Sequence, residues 1–484
     1  MGKIKYYLDI VCLRKHFMEK LMEITKIFET AKDTNERISP INLKERTIEP
    51  TWNVSCSISI DSTLKFQKFH GFGGALTESV GYVLSKLPQS LREEVLKANF
   101  SNTTGNGYVF GRTHINSCDF SLENWACVEK KDETLNSFSM KRPEKYIIPT
   151  LNEANEILKK QNSKLALMVT PWSPPVWMKD NNDMNHGGHL LKEYRELWAK
   201  YCVRYLVELR NRGFDTTYLS VQNEPQAVQP WDSCIWSAEE EGEFVVNYLK
   251  PALLEAGFAN TKVLVWDHNR DLMAERFEDS MKVKGATEAI SGIAYHWYMG
   301  SNYQNVSKIA KSYPNKDLVF SEGCIEGGPR NGAWFTGERY AHNIINDLNN
   351  GCNTWIDWNI VLNMEGGPNH ANNMCDAPIL ADTDEGKLNY QSSYYYIGQF
   401  SRFIKPEAVR IGCTMTPFMT PATVDGIMED YMESTAFQNP DESITLVVSN
   451  RTEADMKYLL KLNGRDEITL SCPPRAIQTL LIRI

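Results

Sequence analysis

From Phe69 onward the chain repeats one theme: a short run of apolar, β-branched or aromatic residues, then a longer stretch with helical spacing. Eight such runs are present: Phe69 to Leu76, Phe110 to Ile115, Leu165 to Trp172, Thr217 to Glu224, Val263 to His268, Gly292 to Tyr298, Leu318 to Gly323 and Thr354 to Asn359. Amphipathic segments lie between them, among them Leu84 to Ala98, Pro143 to Lys160, Leu191 to Asn211, Ala238 to Ala256 and Gly337 to Leu348. Strands alternating with helices imply a parallel sheet. Eight units without a glycine-rich phosphate turn fit a closed (β/α)₈ TIM barrel better than an open doubly wound sheet.

Beyond about residue 405 the rhythm shortens to alternating runs, Ser443 to Ser449, Tyr458 to Leu462, Ile468 to Leu470 and Ala476 to Ile482. These predict an all-β sandwich attached to the barrel. Ser55 to Phe66 alternates in the same way and is expected to join it. The expected division is therefore a catalytic barrel over 69–404, a sandwich from 46–68 plus 405–484, and an N-terminal extension over 1–45. Within that extension Ile4, Leu8, Val11, Leu21, Ile24 and Phe28 have roughly helical spacing, which predicts an amphipathic helix across residues 3 to 31.

Charge narrows the partners. The 484 residues carry 52 Lys+Arg against 61 Asp+Glu, a net charge of -9 that repels phosphate backbones and anionic lipid, so no nucleic-acid partner is expected. No apolar run is long enough to span a bilayer, and Asp9, Arg14, Lys15 and His16 interrupt the opening segment. Stable membrane insertion is not expected, and the expected location is the cytoplasm. The 11 Cys residues occur singly with no C-x-x-C pair, which reads as reduced thiols. His186-Gly-Gly-His189 lies in an Asn- and Gly-rich loop and reads as cleft rim, so no metal site is assigned.

The C-terminal ends of barrel strands form the active face. Here those ends hold Arg112, Trp172, Asn223, Glu224, His296, Tyr298, Glu322, Trp358 and Asn359. Glu224 and Glu322 each close an apolar strand, where a charge is costly without a purpose or a partner. Two carboxylates beneath an aromatic rim supply what acetal hydrolysis needs, a proton for the leaving oxygen and an anion for the oxocarbenium-like centre. On this chemistry no cofactor is required.

The motifs Gly71-Phe72-Gly73-Gly74-Ala75, Arg112 with Ser117-Cys118-Asp119-Phe120, Pro171-Trp172-Ser173-Pro174-Pro175, Asn223-Glu224-Pro225, His296-Trp297-Tyr298, Ser321-Glu322, and Asp357-Trp358-Asn359 with Glu365-Gly366-Gly367-Pro368-Asn369 occur in order. From about Phe66 to its end the chain resembles glycoside hydrolase family 30, within it the glucosylceramidase branch of retaining β-glycosidases. The resemblance implies Glu224 as general acid/base and Glu322 as nucleophile. It implies Asn223 on the sugar 2-hydroxyl, Arg112 and Tyr298 against the nucleophile, and Asp119, Trp172, Trp358 and Asn373 around the sugar. His296, before Trp297 and Tyr298, reads either as a substrate contact or as a hydrogen-bonded structural histidine. Glu78 stands where the family usually has Asp. Glu322 beside Arg112 is expected to stay ionised, and Glu224 beside that anion to be pushed toward its protonated form. The implied substrates are β-glucosides, either glucosylceramide-like or with aryl and alkyl aglycones. β-1,6-Glucan, β-xylosides and a non-catalytic carbohydrate-binding role are the alternatives.

Overall fold

The computed structural model describes residues 22–49, 53–418, 423–424, 427–428, 431–464 and 466–483. Three strands precede the barrel: β1 (Glu23–Ala31), β2 (Arg37–Ile41) and β3 (Cys56–Phe69). Eight parallel strands then close on themselves: β4 (Gly71–Ala75), β5 (Phe110–Ile115), β6 (Ala166–Pro171), β7 (Thr216–Ser220), β8 (Lys262–Asn269), β9 (Gly292–His296), β10 (Asp317–Glu322) and β11 (Thr354–Asn359). All eight runs read from the sequence are strands of this barrel. The segment Leu84 to Ala98 is not one helix; Pro88, which cannot donate a backbone hydrogen bond, separates helices Glu78–Lys86 and Gln89–Phe100. At the first strand the barrel closes tightly. A Cβ on Gly73 would lie 2.4 Å from the Phe110 carbonyl oxygen, so β4 and β5 approach only because that side chain is absent.

One inward residue from each of seven strands plugs the lower barrel: Phe110, Met168, Tyr218, Leu264, Ala294, Val319 and Ile356. This apolar floor confines polar chemistry to the C-terminal mouth.

After the barrel come β12 (Leu362–Asn363), β13 (Ile379–Asp382) and β14 (Lys387–Tyr390), a small sheet, then β15 (Ala408–Pro417) and the pair β16 (Thr423–Val424) and β17 (Ile427–Met428). The chain continues through β18 (Met432–Gln438), β19 (Ile444–Asn450), β20 (Met456–Leu462), β21 (Asp466–Cys472) and β22 (Ala476–Arg483). Nine strands hydrogen-bond in the order β2-β1-β22-β19-β18-β15-β3-β20-β21 and fold over one core. Ile27, Ile58, Leu446, Tyr458, Leu460 and Leu480 meet there from both halves of the sheet.

The expected helix across residues 3 to 31 needs correction. Residues 3–21 lie outside the described residues, and Glu23–Ala31 is a strand paired antiparallel with β22 from Glu23↔Arg483 to Ala31↔Ala476. Ile24, Thr25, Ile27 and Thr30 are β-branched, and the open edge of β22 gives their backbone a ladder that an isolated helix lacks. Glu29, fully buried in this strand, is held by Arg46 at 2.7 and 2.8 Å and by Gln478 at 2.8 Å. The extension therefore contributes strands to the sandwich.

Candidate active site

Strand geometry builds the site layer by layer. Two residues above the apolar floor, the same alternation turns Arg112, Thr170, His296, Ser321 and Trp358 inward. β8 breaks the count. Trp266 and Asp267 have φ of 72° and 51°, and the register against β9 slips between Trp266 and His268. This bulge sends Trp266 into the outer core and turns Asp267 into the barrel. Fully buried, Asp267 accepts hydrogen bonds from Arg112 Nη2 at 3.0 Å, Ser321 Oγ at 2.5 Å and Thr170 Oγ1 at 3.2 Å, and faces His296 Nε2 at 3.1 Å. The sequence reading missed Asp267. Its only signal was a charge at the end of the apolar run Val263 to Trp266.

Above Asp267 stand the two glutamates. Glu322 ends β10, where Arg112 Nη1 donates to one carboxylate oxygen at 2.5 Å and Tyr298 Oη to the other at 3.0 Å. Glu224 follows β7 in a left-handed turn (φ 47°), with its backbone amide donating to the Asp267 carbonyl at 3.0 Å. That turn aims its side chain across the mouth, where Oε1 lies 3.3 Å from His296 Nδ1 and Gln229 Nε2 donates to Oε2 at 3.4 Å. One oxygen each of Glu224 and Glu322 and one His296 nitrogen lie within 4.8 Å of one another. The trio has metal-donor atoms, but both His296 nitrogens already face carboxylates and Arg112 holds Glu322.

The buried charges are therefore arranged as one network. Burial pushes the Glu224 carboxyl up, but the His296 hydrogen bond and the charges of His268 and His296 outweigh it and hold Glu224 down at about 2. Burial likewise lowers His296, yet Glu322, Asp267 and Glu224 together raise it to about 9. Asp267 is depressed against its own burial by Arg112 and His296. The direction is therefore opposite to the one expected from Glu322 alone: Glu224 is held low and His296 is raised. The hydrogen-bond partner of Glu224 is His296, 3.3 Å away, and that contact favours the carboxylate.

A cavity of about 450 Å³ opens over this network, within the range of small-ligand pockets. Asp119, Trp172, Asn223, Tyr298, Trp358 and Asn373 border it together with both glutamates. Asn373 Nδ2 donates to Asp119 at 3.0 Å, and burial with the nearby Glu322 raises the Asp119 carboxyl to about 7. The Trp172 and Trp358 rings stack at 5.6 Å, and the Arg112 guanidinium packs against them at 4.7 and 5.4 Å. Arg112 lies against Glu322, as the resemblance implies, and His296, a substrate-site candidate, faces Glu224 and Asp267; both are fully buried and neither borders the cavity. Glu78 lies further out. Its carboxylate takes Trp125 Nε1 at 3.0 Å and Arg142 Nε at 2.5 Å, which ties the segment after Asp119 to the barrel wall. His186 and His189 pair separately with Asp183 and Asp180 at the surface.

This arrangement has relatives. Residues 69–404 match the Glycosyl hydrolase family 30 TIM-barrel domain, and residues 407–480 match the family's beta sandwich domain. The chain belongs to glycoside hydrolase family 30. It is an O-glycosyl hydrolase. Among family 30 relatives, the lysosomal acid glucosylceramidase of Mus musculus is 30% identical over 444 residues, which cover 88% of this chain and 83% of that protein. The crystal structure of SrfJ from Salmonella typhimurium superposes with a TM-score of 0.86 at 34% identity, covering 95% of this chain and 99% of that one. The endo-beta1,6-glucanase BT3312 gives 0.80 at 26% identity, covering 95% and 99%. The substrate of this chain is therefore a glycoside.

Proposed function

We propose that the protein is a retaining β-glucosidase in which Glu322 is the nucleophile and Glu224 the general acid/base. The observation that carries this reading is the pair of carboxylate oxygens within 4.8 Å. Retaining enzymes hold their carboxyl groups roughly 5–5.5 Å apart, whereas inverting enzymes leave about 6.5–9.5 Å for a water molecule. Arg112 holds the Glu322 carboxylate in position. As a glycoside enters, the proton on His296 Nδ1 crosses the 3.3 Å contact to Glu224, which delivers it to the leaving oxygen while Glu322 attacks the anomeric carbon. Glu224 then takes a proton from water, and the resulting hydroxide releases the sugar from Glu322 with retained configuration. Asn223, which accepts from Arg112 Nη2 at 2.9 Å, directs its amide nitrogen to the sugar 2-hydroxyl. Trp172, Trp358, Asp119 and Asn373 enclose the ring.

The aglycone side favours an apolar group. Leu272 and Met299 border the cavity and are 37% and 60% exposed, and Trp231 also lines it. Such residues at a pocket mouth suit the alkyl chain of a glucosylceramide-like or long alkyl glucoside. The likeness to an endo-beta1,6-glucanase supports β-1,6-glucan as the second reading. A panel of nitrophenyl β-glucoside, octyl and methyl β-glucosides, nitrophenyl β-xyloside and β-1,6-glucan oligosaccharides tests both. The expected order in kcat/KM places octyl above methyl glucoside by about tenfold or more, the worth of a few buried methylenes. Preference for the oligosaccharides over every glucoside would replace this reading with the second.

His296 sets an alkaline limit. Its folded value is raised, so the proton is held up to about pH 9 and lost as pH rises through it. kcat/KM is expected to fall with an apparent value near 9 for a substrate with a poor leaving group. His296→Asn removes the titrating group and the Glu224 hydrogen bond, which moves that limb to lower pH. A limb that stays in place in His296→Asn would assign it to another group.

A further inference from the structure

Two thiols share a wall of the substrate cavity. Cys324 follows Glu322 by two residues, and Cys375 lies on a segment laid antiparallel to it through the bridge Glu326↔Cys375, with Asp376 N donating to Ile325 O at 2.9 Å. Cys324 and Cys375 pack in the same small buried cluster as Trp172 and Trp358. Both are buried, and among the described cysteines only these two border the cavity. Each also touches one arm of the site. Cys324 Sγ lies 3.5 Å from Tyr298 Oη, which donates to Glu322, and Cys375 Sγ lies 3.8 Å from the Asn373 carbonyl, whose side chain holds Asp119.

We propose that Cys324 and Cys375 form an oxidisable dithiol, closed to a disulfide by peroxide entering the substrate pocket, which slows hydrolysis. In the first step one sulfur, as thiolate, attacks a peroxide oxygen. The O–O bond breaks, and with the released proton the products are a sulfenic acid and water. The second thiol then attacks that sulfur, the S–O bond breaks, an S–S bond forms and a second water leaves. Two electrons pass from the sulfurs to one hydrogen peroxide, and two thiols yield one disulfide and two waters. The neighbouring Cys375 and burial both push the Cys324 thiol well up, so the first step runs faster in alkaline buffer. A disulfide draws the sulfurs to ~2.05 Å. Closing it pulls Cys324 from Tyr298 and Cys375 from Asn373, which loosens the contacts that orient Glu322 and Asp119.

The test treats the full chain with hydrogen peroxide in alkaline buffer, alkylates the remaining thiols and maps peptides by mass. The expected product joins the Cys324 and Cys375 peptides with loss of two hydrogens. Activity on an aryl β-glucoside is expected to fall about tenfold, the worth of one hydrogen bond, and to return with dithiothreitol. Cys375→Ser, and Cys375→Val as a second variant filling similar space, are each measured against their own activity before peroxide and are expected to retain it. Absence of the joined peptide, a joined protein with full activity, or equal loss in both variants would overturn the proposal. The peptide mass needs no substrate, so it decides the bond even where the glucosidase reading fails.

Discussion

Glu322→Ala is expected to lower kcat/KM on nitrophenyl β-glucoside by about 10⁴-fold or more, because the proposed mechanism forms its covalent bond at this carboxylate. Azide should restore turnover by attacking the anomeric carbon from the vacated side, giving the α-glycosyl azide. Glu224→Ala behaves differently. Its loss on a substrate with a poor leaving group is expected to be about 10²–10⁴-fold. An activated aryl glucoside needs no protonation, so it should still glycosylate Glu322, and azide should then give the β-glycosyl azide. The anomer formed therefore tells the two roles apart. If Glu322→Ala remains active, or if the anomers are exchanged between the variants, the assignment fails.

The second large effect is expected at Asp267→Asn. This carboxylate neutralises Arg112 and His296 at 3.0 and 3.1 Å, with all three side chains buried. Removing its charge leaves two buried cations short of a partner, which costs about 3–5 kcal/mol of stability. His296 loses one of the anions that raise it, so the alkaline limb of kcat/KM should move to lower pH. Thermal unfolding and the pH profile of the folded variant test both effects. A variant as stable as the parent, with an unmoved limb, would show that Asp267 does not carry this network.

Legibility in the sequence followed how local each signal was. The barrel strands could be read because apolar runs and helical periods alternate over long stretches. Glu224 and Glu322 stood out because a carboxylate closing an apolar strand has few structural explanations. Asp267 did not stand out, because two-residue alternation from Leu264 points Trp266 inward, and only the bulge reverses that order. The position of the acid's proton was also beyond the sequence. It depends on a distance of 3.3 Å between His296 and Glu224, residues 72 positions apart. Glu23–Ala31 was ambiguous, since nine residues fit either period, and its partner β22 lies at the other end of the chain.

That last pairing affects how the protein is made. Thr25 bonds to Leu481, 456 positions away. Translation at about 5–20 residues per second leaves β1 without this neighbour for roughly 20 to 90 seconds. Throughout that interval its Ile27 side and its bare amides are exposed to the ribosome's surroundings, and late ribosomal release sets the earliest moment at which the sandwich is sealed.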